Sequence, residues 1–221
     1  MSIIEGFSVV LRNYAPSDLD EQMRWERPAD PLEATWHLRI PDGMDLADYY
    51  EERIAGSEEI RYAVDDREGR LVGVLSLREV DRAHGRARLG IVIRPDETDK
   101  GFGTDAILTL CDHLFMVLGY SKLVLDVALA NPRAIRCYEK CGFVELGEFW
   151  REVPIRTVEH PSLRPHLVHF RIKGGRIQAR FVEMELTRAR YLRRLGHRCG
   201  SVTGPLATDS HPECKVSFSD S

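Results

Sequence analysis

The sequence predicts an α/β fold in which one mixed β-sheet is flanked by helices. Two observations lead to this prediction. Residues 62–64, 71–77 and 87–93 are apolar segments separated by short polar turns, which indicates an antiparallel meander. From residue 86 to 147 the order is strand, glycine loop, helix, strand, helix and strand, which is typical of α/β proteins. A chain of 221 residues is long enough for one sizeable core with an appendage.

The remaining elements follow from periodicity and from helix-breaking residues. Residues 7–13 predict a first strand, and residues 15–56 predict short helical pieces interrupted by prolines. A helix beginning near Thr104 ends at Gly119, and a second helix opens at Asn131 and ends before Gly142. We expect a domain over residues 1–190, with 151–173 as an insertion, and a basic, then flexible tail over 191–221.

Composition excludes several classes of protein. At 43% hydrophobic and 30% charged residues the chain resembles soluble globular proteins. It has neither the 18 or so consecutive apolar residues of a membrane span nor a secretory signal, so we predict a cytoplasmic protein that binds no membrane. Residues 18–68 hold 16 acidic residues against six arginines, which argues against nucleic acid as a partner. This acidic stretch suits either a cationic ligand or solvated helix faces.

The cysteine and histidine pattern predicts no metal. Five cysteines without CxxC spacing indicate reduced thiols, and Cys137 and Cys141, one helical turn apart, are favoured as small buried side chains. Three histidines cluster in the insertion without ligand spacing. Five arginines over residues 188–198 predict a solvated helix or a contact between protomers, and a homodimer stays open.

The loop over residues 94–106 predicts an anion-binding site. Gly101 and Gly103 can turn backbone N–H groups toward one point at the start of a helix, and Lys100 and Thr104 supply further donors. A P-loop is excluded because no Lys-Ser or Lys-Thr pair follows the second glycine. Residues 101–106 match the GxGxxA fingerprint of dinucleotide-binding proteins, and Asp126 follows about twenty residues later. Its position disfavours it, because seven residues separate strand and glycine and a long meander precedes them.

Two stretches, residues 91–107 and 125–147, resemble the Gcn5-related N-acetyltransferases (GNAT). The resemblance is greatest to the branch of ribosomal-protein N-terminal acetyltransferases and spermidine N-acetyltransferases. The second stretch is the more specific, because it carries the branch's N-x-x-A-x-x-x-Y-E-K-x-G-F pattern. Its matching residues are Asn131, Ala134, Tyr138, Glu139, Lys140, Gly142 and Phe143. The resemblance extends more loosely from Phe7 to Leu186.

The resemblance implies an acetyl-CoA-dependent enzyme whose sheet splays between residues 87–93 and 122–128. The pantetheine arm would lie in the splay and pair with the strand edge, like an added strand. The residues implied in binding the cofactor are Val92, Ile93 and Arg94 on that edge, Asp99, Lys100, Gly101, Phe102, Gly103, Thr104 and Asp105 around the pyrophosphate, and Asn131 and Lys140 on the far side. Tyr138 would direct its hydroxyl at the sulfur.

Acyl transfer explains these residue types. An amine that attacks a thioester creates an oxyanion, which a backbone N–H of Ile93 or Arg94 can stabilise. The departing thiolate needs a proton, for which Tyr138 is the candidate acid. The family commonly has Arg or Gln where this chain has Thr98, and an acidic residue where it has Arg88. The general base is therefore open between Asp126, Glu79 and a chain of water molecules.

The acceptor is expected to be a primary amine, bound between the acidic 18–68 region and the insertion. A polyamine, an aminoglycoside-like base and a free peptide N-terminus all remain open as acceptors. The alternative function is a non-catalytic module that binds acetyl-CoA or CoA as a sensor, which Thr98 and Arg88 favour. We predict the enzyme.

Overall fold

The computed structural model describes residues 3–155 and 158–199. Within them the chain forms nine strands and five α-helices, joined by short 3-10 and π-helical turns. The strands are β1 Ile4–Glu5, β2 Val9–Asn13, β3 Ile60–Asp66, β4 Leu71–Asp81, β5 Arg86–Ile93, β6 Lys122–Ala128, β7 Val144–Glu152, β8 Phe170–Lys173 and β9 Arg176–Thr187. The helices are α1 Pro16–Met23, α2 Leu46–Tyr50, α3 Phe102–Asp112, α4 Pro132–Cys141 and α5 Arg188–Cys199.

The predicted mixed sheet is confirmed. Its strands lie in the order β1-β2-β3-β4-β5-β6-β9-β7, and β8 pairs with the outer part of β9. β2 to β5 form the antiparallel meander, while β5 and β6 run parallel. That parallel pairing covers only Arg86–Arg88 against Lys122–Val124. Beyond these residues the two strands diverge, so the sheet is splayed at its centre as expected.

Strand alternation distributes the core between the two faces of the sheet. On one face, Tyr62 and Val64 of β3 belong to a cluster with α3 and α4. On the other, Ala63 packs with Leu19 and Trp25 near the N-terminal helices. Successive residues of a strand point to opposite faces, which explains the two clusters. The splay therefore opens between helices on both sides.

The insertion is more ordered than its sequence indicates. β7 extends to Glu152, and the following segment buries Val153, Ile155 and Leu163 in a third cluster with Leu32 and Phe181. The short strand β8 lacks a predictive pattern because most of its residues are exposed, and it forms a hairpin with β9. The insertion thus packs between the sheet and the segment that follows α1.

α5 confirms the predicted arginine-rich helix and adds a buried contact. Tyr191 is buried within the main core and lies 5.4 Å from Phe115, ring centroid to ring centroid. The helix is therefore docked on the domain and not merely solvated, and its Leu195 also packs against the core. The predicted flexible tail from Gly200 onward lies outside the described residues. None of the described helices combines the length and apolar character needed to cross a membrane.

Candidate active site

The divergence of β5 and β6 opens a cavity of about 930 Å³. One half lies among the glycine loop, α3 and α4, and the other lies on the sheet face below the N-terminal helices. Ten of the predicted site residues line it: Val92, Ile93, Asp99, Gly101, Phe102, Gly103, Thr104, Asn131, Tyr138 and Lys140. The structure thus brings most of the predicted set into one space.

The glycine loop has the geometry of an anion cradle. Gly101 caps α3 with φ of +92°, a conformation that side chains rarely tolerate. A Cβ on Gly103 would lie 3.4 Å from Ile93 Cγ1 and 3.9 Å from Cys137 Sγ. The first turn of α3 therefore faces the gap between β5 and α4, with its free N–H groups at the positive end of the helix dipole.

Three predicted cofactor residues direct their side chains elsewhere. The Arg94 guanidinium lies 2.8 Å from Asp96 and 3.5 Å from Glu21. Lys100 Nζ donates to Glu97 over 2.8 Å. Neither residue lines the cavity, and neither does Asp105. Local carboxylates or backbone donors engage these three side chains, and the part of these residues in binding the cofactor stays a prediction.

Asp105 instead ties the start of the chain to α3. Its carboxylate accepts the backbone N–H groups of Phe7, Ser8 and Val9 over 2.6–3.2 Å, and the Ser8 hydroxyl over 2.8 Å. These donors precede or begin β2 and lie at the edge of the sheet. Asp105 is a structural residue, and its acidic charge at a helix N-terminus is favourable in its own right.

Replacing Asp105 with alanine is expected to lower the free energy of unfolding by about 2–3 kcal/mol, because it removes a charged acceptor from several N–H groups. Urea denaturation checks this value. CoA affinity, measured by calorimetry on the folded variant, should stay within a few fold. A strong loss of CoA affinity with unchanged stability would restore Asp105 as a cofactor ligand.

Strand register shows which of the two N–H groups predicted to stabilise the oxyanion, that of Ile93 or that of Arg94, is accessible to a ligand. The Arg94 N–H donates to the Val72 carbonyl over 2.9 Å, so it faces β4. Along an antiparallel strand, N–H groups alternate between the two edges. The Ile93 N–H therefore faces the splay, where no strand pairs with it. The edge available to a ligand is that of Ile93.

α4 forms the far wall of the cavity. Asn131 caps the helix, since its Oδ1 accepts the Ala134 N–H over 3.0 Å, and its amide nitrogen is left for the cavity. Arg136 and Lys140 also line the cavity and have no ion-pair partner among the described residues. Cations without partners beside the glycine loop suit the phosphates of CoA.

Tyr138, the predicted acid, lines the cavity. Its side chain is buried in the cavity wall, with its ring packed edge-on against Phe143 at 6.0 Å. Its hydroxyl has no hydrogen-bond partner among the described side chains and backbone. Burial raises the pKa of Tyr138, and the nearby Cys137 and Cys141 raise it further. The phenol therefore keeps its proton at neutral pH and is free to donate it to a ligand.

Cys137 is a feature of the cavity that the sequence did not indicate. It was predicted as an ordinary buried side chain, but it lines the cavity one residue before Tyr138. The neighbouring Cys141 thiol lowers the pKa of Cys137, and Thr104, whose Oγ1 lies 3.4 Å from the sulfur, acts in the same direction against burial. Cys137 is therefore more acidic than an ordinary cysteine.

We expect iodoacetamide to alkylate Cys137 faster at neutral pH than it alkylates an ordinary thiol, because the pKa of Cys137 is lowered. Because the sulfur lies beside Gly103, bound CoA should block the reaction. Peptide mapping by mass spectrometry gives the rate at this site, with Cys137→Ser as control. Alkylation that CoA does not slow would place the cofactor outside this gap.

Neither carboxylate considered as the general base is available. Both oxygens of Asp126 are engaged, one by Arg88 over 2.6 Å and the other by Arg151 over 2.5 Å. Glu79 binds Arg88 over 3.0 Å, is largely exposed and does not line the cavity. Arg88, which replaces the family's acidic residue, therefore neutralises both candidates.

His37 is a further cavity residue that sequence reasoning missed. It follows the 3-10 turn Glu33–Trp36, is half-buried, and has no hydrogen-bond partner among the described residues. Burial, and then the charge of Arg27, lower its pKa. The ring is therefore neutral at pH 7 and able to accept a proton. No three His, Cys, Asp or Glu side chains group as metal ligands in the described ranges, and the absence of a metal stays a prediction.

An anion cradle at a helix start, a free N–H on a splayed strand and a buried phenol across the gap together define a class of enzyme, the acyl-CoA-dependent acyltransferases. Residues 8–144, more than half of the chain, match the family model described as acetyltransferase (GNAT) domain. The chain belongs to this family and is an N-acetyltransferase that transfers the acetyl group of acetyl-CoA to an amine.

The chain is also similar to individual acetyltransferases. The chain is 36% identical to spermidine N(1)-acetyltransferase of Escherichia coli over 157 residues, 71% of this chain and 84% of that enzyme. It is 36% identical to the enzyme of the same name from Vibrio cholerae over 108 residues, which is 49% of this chain and 62% of that enzyme. The crystal structure of the Vibrio cholerae enzyme with CoA and spermine has 26% identity and a TM-score of 0.62, covering 84% of this chain and 98% of that one.

Proposed function

We propose that this acetyltransferase lets a primary amine attack acetyl-CoA directly, with Tyr138 returning a proton to the leaving thiolate. One observation carries the proposal. The cavity runs without interruption from the glycine loop to the sheet face, and Tyr138 lies in its wall. Cofactor and acceptor can therefore meet in one space, and no covalent enzyme intermediate is required.

Binding of the coenzyme uses both sides of the splay. The diphosphate would be held by the N–H groups around Gly101 and Gly103, with Lys140 and Arg136 supplying positive charge. The pantetheine arm would then pair with the free edge of β5 at Ile93, as an added strand does. This arrangement brings the thioester toward the Ile93 N–H and the Tyr138 hydroxyl.

The chemical step balances one proton and one electron pair. The amine lone pair attacks the thioester carbon, and the Ile93 N–H stabilises the oxyanion that forms. As the carbonyl re-forms, the carbon–sulfur bond breaks and the thiolate takes the Tyr138 proton. Burial disfavours the phenolate and also the thiolate in the same cavity, so the pKa values of the proton donor and of the leaving thiol shift in the same direction.

We assign removal of the ammonium proton to His37, because the carboxylates at Asp126 and Glu79 are paired with arginines. With the pKa of His37 lowered, the rate should fall on the acid side only below about pH 6.5. Changing His37 to glutamine is expected to lower kcat/KM about a hundredfold and to remove that acid limb. The pH profile is the measurement, and a retained limb would exclude His37 as the base.

The overall activity is tested by thiol release from acetyl-CoA with spermidine, an aminoglycoside and short peptides as acceptors. The similarity to spermidine acetyltransferases supports a polyamine, and the width of the cavity admits the other two classes. We expect release with at least one class. The sensor alternative predicts CoA binding without release for every amine, and that outcome would contradict the proposed function.

A further inference from the structure

The half of the cavity farthest from the glycine loop lies on the strands of the meander. Arg61 of β3, Ser76 of β4 and Gly90 of β5 occupy one row across the sheet, because Arg61 pairs with Ser76 and Ser76 with Gly90. Residues in one row of a sheet point to the same face. Arg78 lies two residues beyond Ser76 on that face, and all four line the cavity.

The acidic side chains of this half are already engaged. Each carboxylate that lines it has cationic or backbone donors in the described structure. The pairs are Glu33 with Arg133 at 2.8 Å, Glu59 with Arg61 at 3.1 Å, Asp126 with Arg88 and Arg151, and Asp30 with the N–H groups of Leu32 and Glu33. The acidic 18–68 region therefore leaves little free negative charge in the cavity.

Two arginines on this face keep donors that no described residue engages. The Nε of Arg61 is buried and has no hydrogen-bond partner, although its Nη2 reaches Glu59. Arg78 has no hydrogen bond or ion pair with any described residue, and its Nη2 lies 3.6 Å from where a Cβ of Gly90 would be. The Arg78 guanidinium, which lines the cavity without such a partner, is therefore suited to an incoming anion.

Gly90 and Ser76 make room for that anion. A Cβ at Gly90 would lie 2.7 Å from Ser76 Oγ, so any larger residue would fill the space between the hydroxyl and Arg78. The glycine thus leaves a small opening bordered by the Arg78 guanidinium and the Ser76 hydroxyl. Such a set of donors matches a carboxylate, which accepts several hydrogen bonds at once.

We propose that the acceptor amine also carries a carboxylate, and that Ser76 and Arg78 bind it. The acceptor is then an amino acid or the N-terminal part of an acidic peptide. A simple polyamine would bring positive charge to the unpaired guanidinium of Arg78, which disfavours it. This inference rests on the proposed function and specifies its acceptor.

Matched amines isolate the carboxylate. Lysine and cadaverine differ only in that group, as do ornithine and putrescine, and a tripeptide with glutamate can be compared with the same peptide carrying glutamine. We expect kcat/KM to be at least about tenfold higher for the carboxylate-bearing member, the factor that 1.4 kcal/mol gives. Preference within the amino acid pairs indicates a free amino acid, and preference within the peptide pair indicates a peptide.

Arg78→Ala supplies the second arm. Because Arg78 is exposed and unpaired, the variant should fold normally, abolish the preference and leave CoA affinity unchanged. Arg82→Ala, an exposed arginine that does not line this cavity, should keep the preference. Equal rates within every pair, the highest rate with spermidine, or a preference that survives Arg78→Ala would overturn the inference.

Failure of the proposed function can be distinguished from failure of the carboxylate subsite. If no amine releases thiol, the catalytic proposal is contradicted, while calorimetric titration of the CoA complex with lysine and with cadaverine still tests the subsite. Tighter binding of lysine that is lost in Arg78→Ala supports it, and equal binding of the two amines contradicts it.

Discussion

Changing Tyr138 to phenylalanine is expected to lower kcat by about a hundredfold to ten-thousandfold, the range typical for removing a general acid. The ring is buried against Phe143 and its hydroxyl has no partner in the described structure. The variant therefore loses only the proton donor, and neither packing nor a hydrogen bond is disturbed. Stopped-flow measurement of thiol release under single-turnover conditions isolates this step.

The control for Tyr138→Phe is the binding of CoA, which should stay within about twofold, together with an unchanged melting temperature. Because no described residue bonds this hydroxyl, its removal breaks no hydrogen bond, and the variant should be about as stable as the parent. Full turnover with the same acceptor would exclude Tyr138 as the acid and would leave solvent as the proton source.

Changing Gly103 to valine is expected to raise the dissociation constant of CoA at least tenfold. The Cβ would stand at ordinary contact distance from Ile93, but the branched methyl groups would extend into the gap between β5 and α4. Those methyl groups would occupy the space of the pantetheine arm and shield the N–H groups of the cradle. Calorimetric titration with CoA gives the constant directly.

Gly103→Ala is the matched control for this substitution. Its Cβ meets nothing closer than 3.4 Å and the backbone is helical, so alanine should bind CoA nearly as well as glycine and favour the helix. If valine leaves the affinity intact, the cofactor does not pass this gap and the assignment of the loop is wrong. If alanine is as harmful as valine, the loop needs glycine for a reason other than space.

The order of elements was predictable because it depends on local patterns. Alternation over 87–93 and the Asn131, Pro132 and Gly142 signals of α4 are decided within a few residues, and the structure has them where the sequence indicates. The splay was predictable only through resemblance to a family. Nothing in the local sequence shows that β5 and β6 separate after Arg88.

Partnerships between distant residues were not predictable. Asp105 was assigned to the cofactor because it follows the glycine loop, yet its carboxylate lies against residues almost a hundred positions earlier in the chain. The sequence makes Asp126 a candidate base, but in the structure Arg88 donates to one of its carboxylate oxygens and Arg151 to the other. His37 lies in a loop whose sequence has neither a motif nor a hydrophobic periodicity, so the sequence does not indicate that this histidine reaches the cavity. Which side chains remain free is a property of the fold.

The short pairing of β5 with β6 also affects the stability of the protein toward local opening. Beyond Arg88 the facing edges of two central strands are left to water, which protects amide hydrogens poorly. A ligand that closes this seam adds its binding energy to folding, about 2.7 kcal/mol at a concentration of a hundred dissociation constants. Hydrogen exchange at the Ile91 and Ile93 amides would slow accordingly. Exchange at these two amides would therefore report binding of CoA even without an acceptor amine.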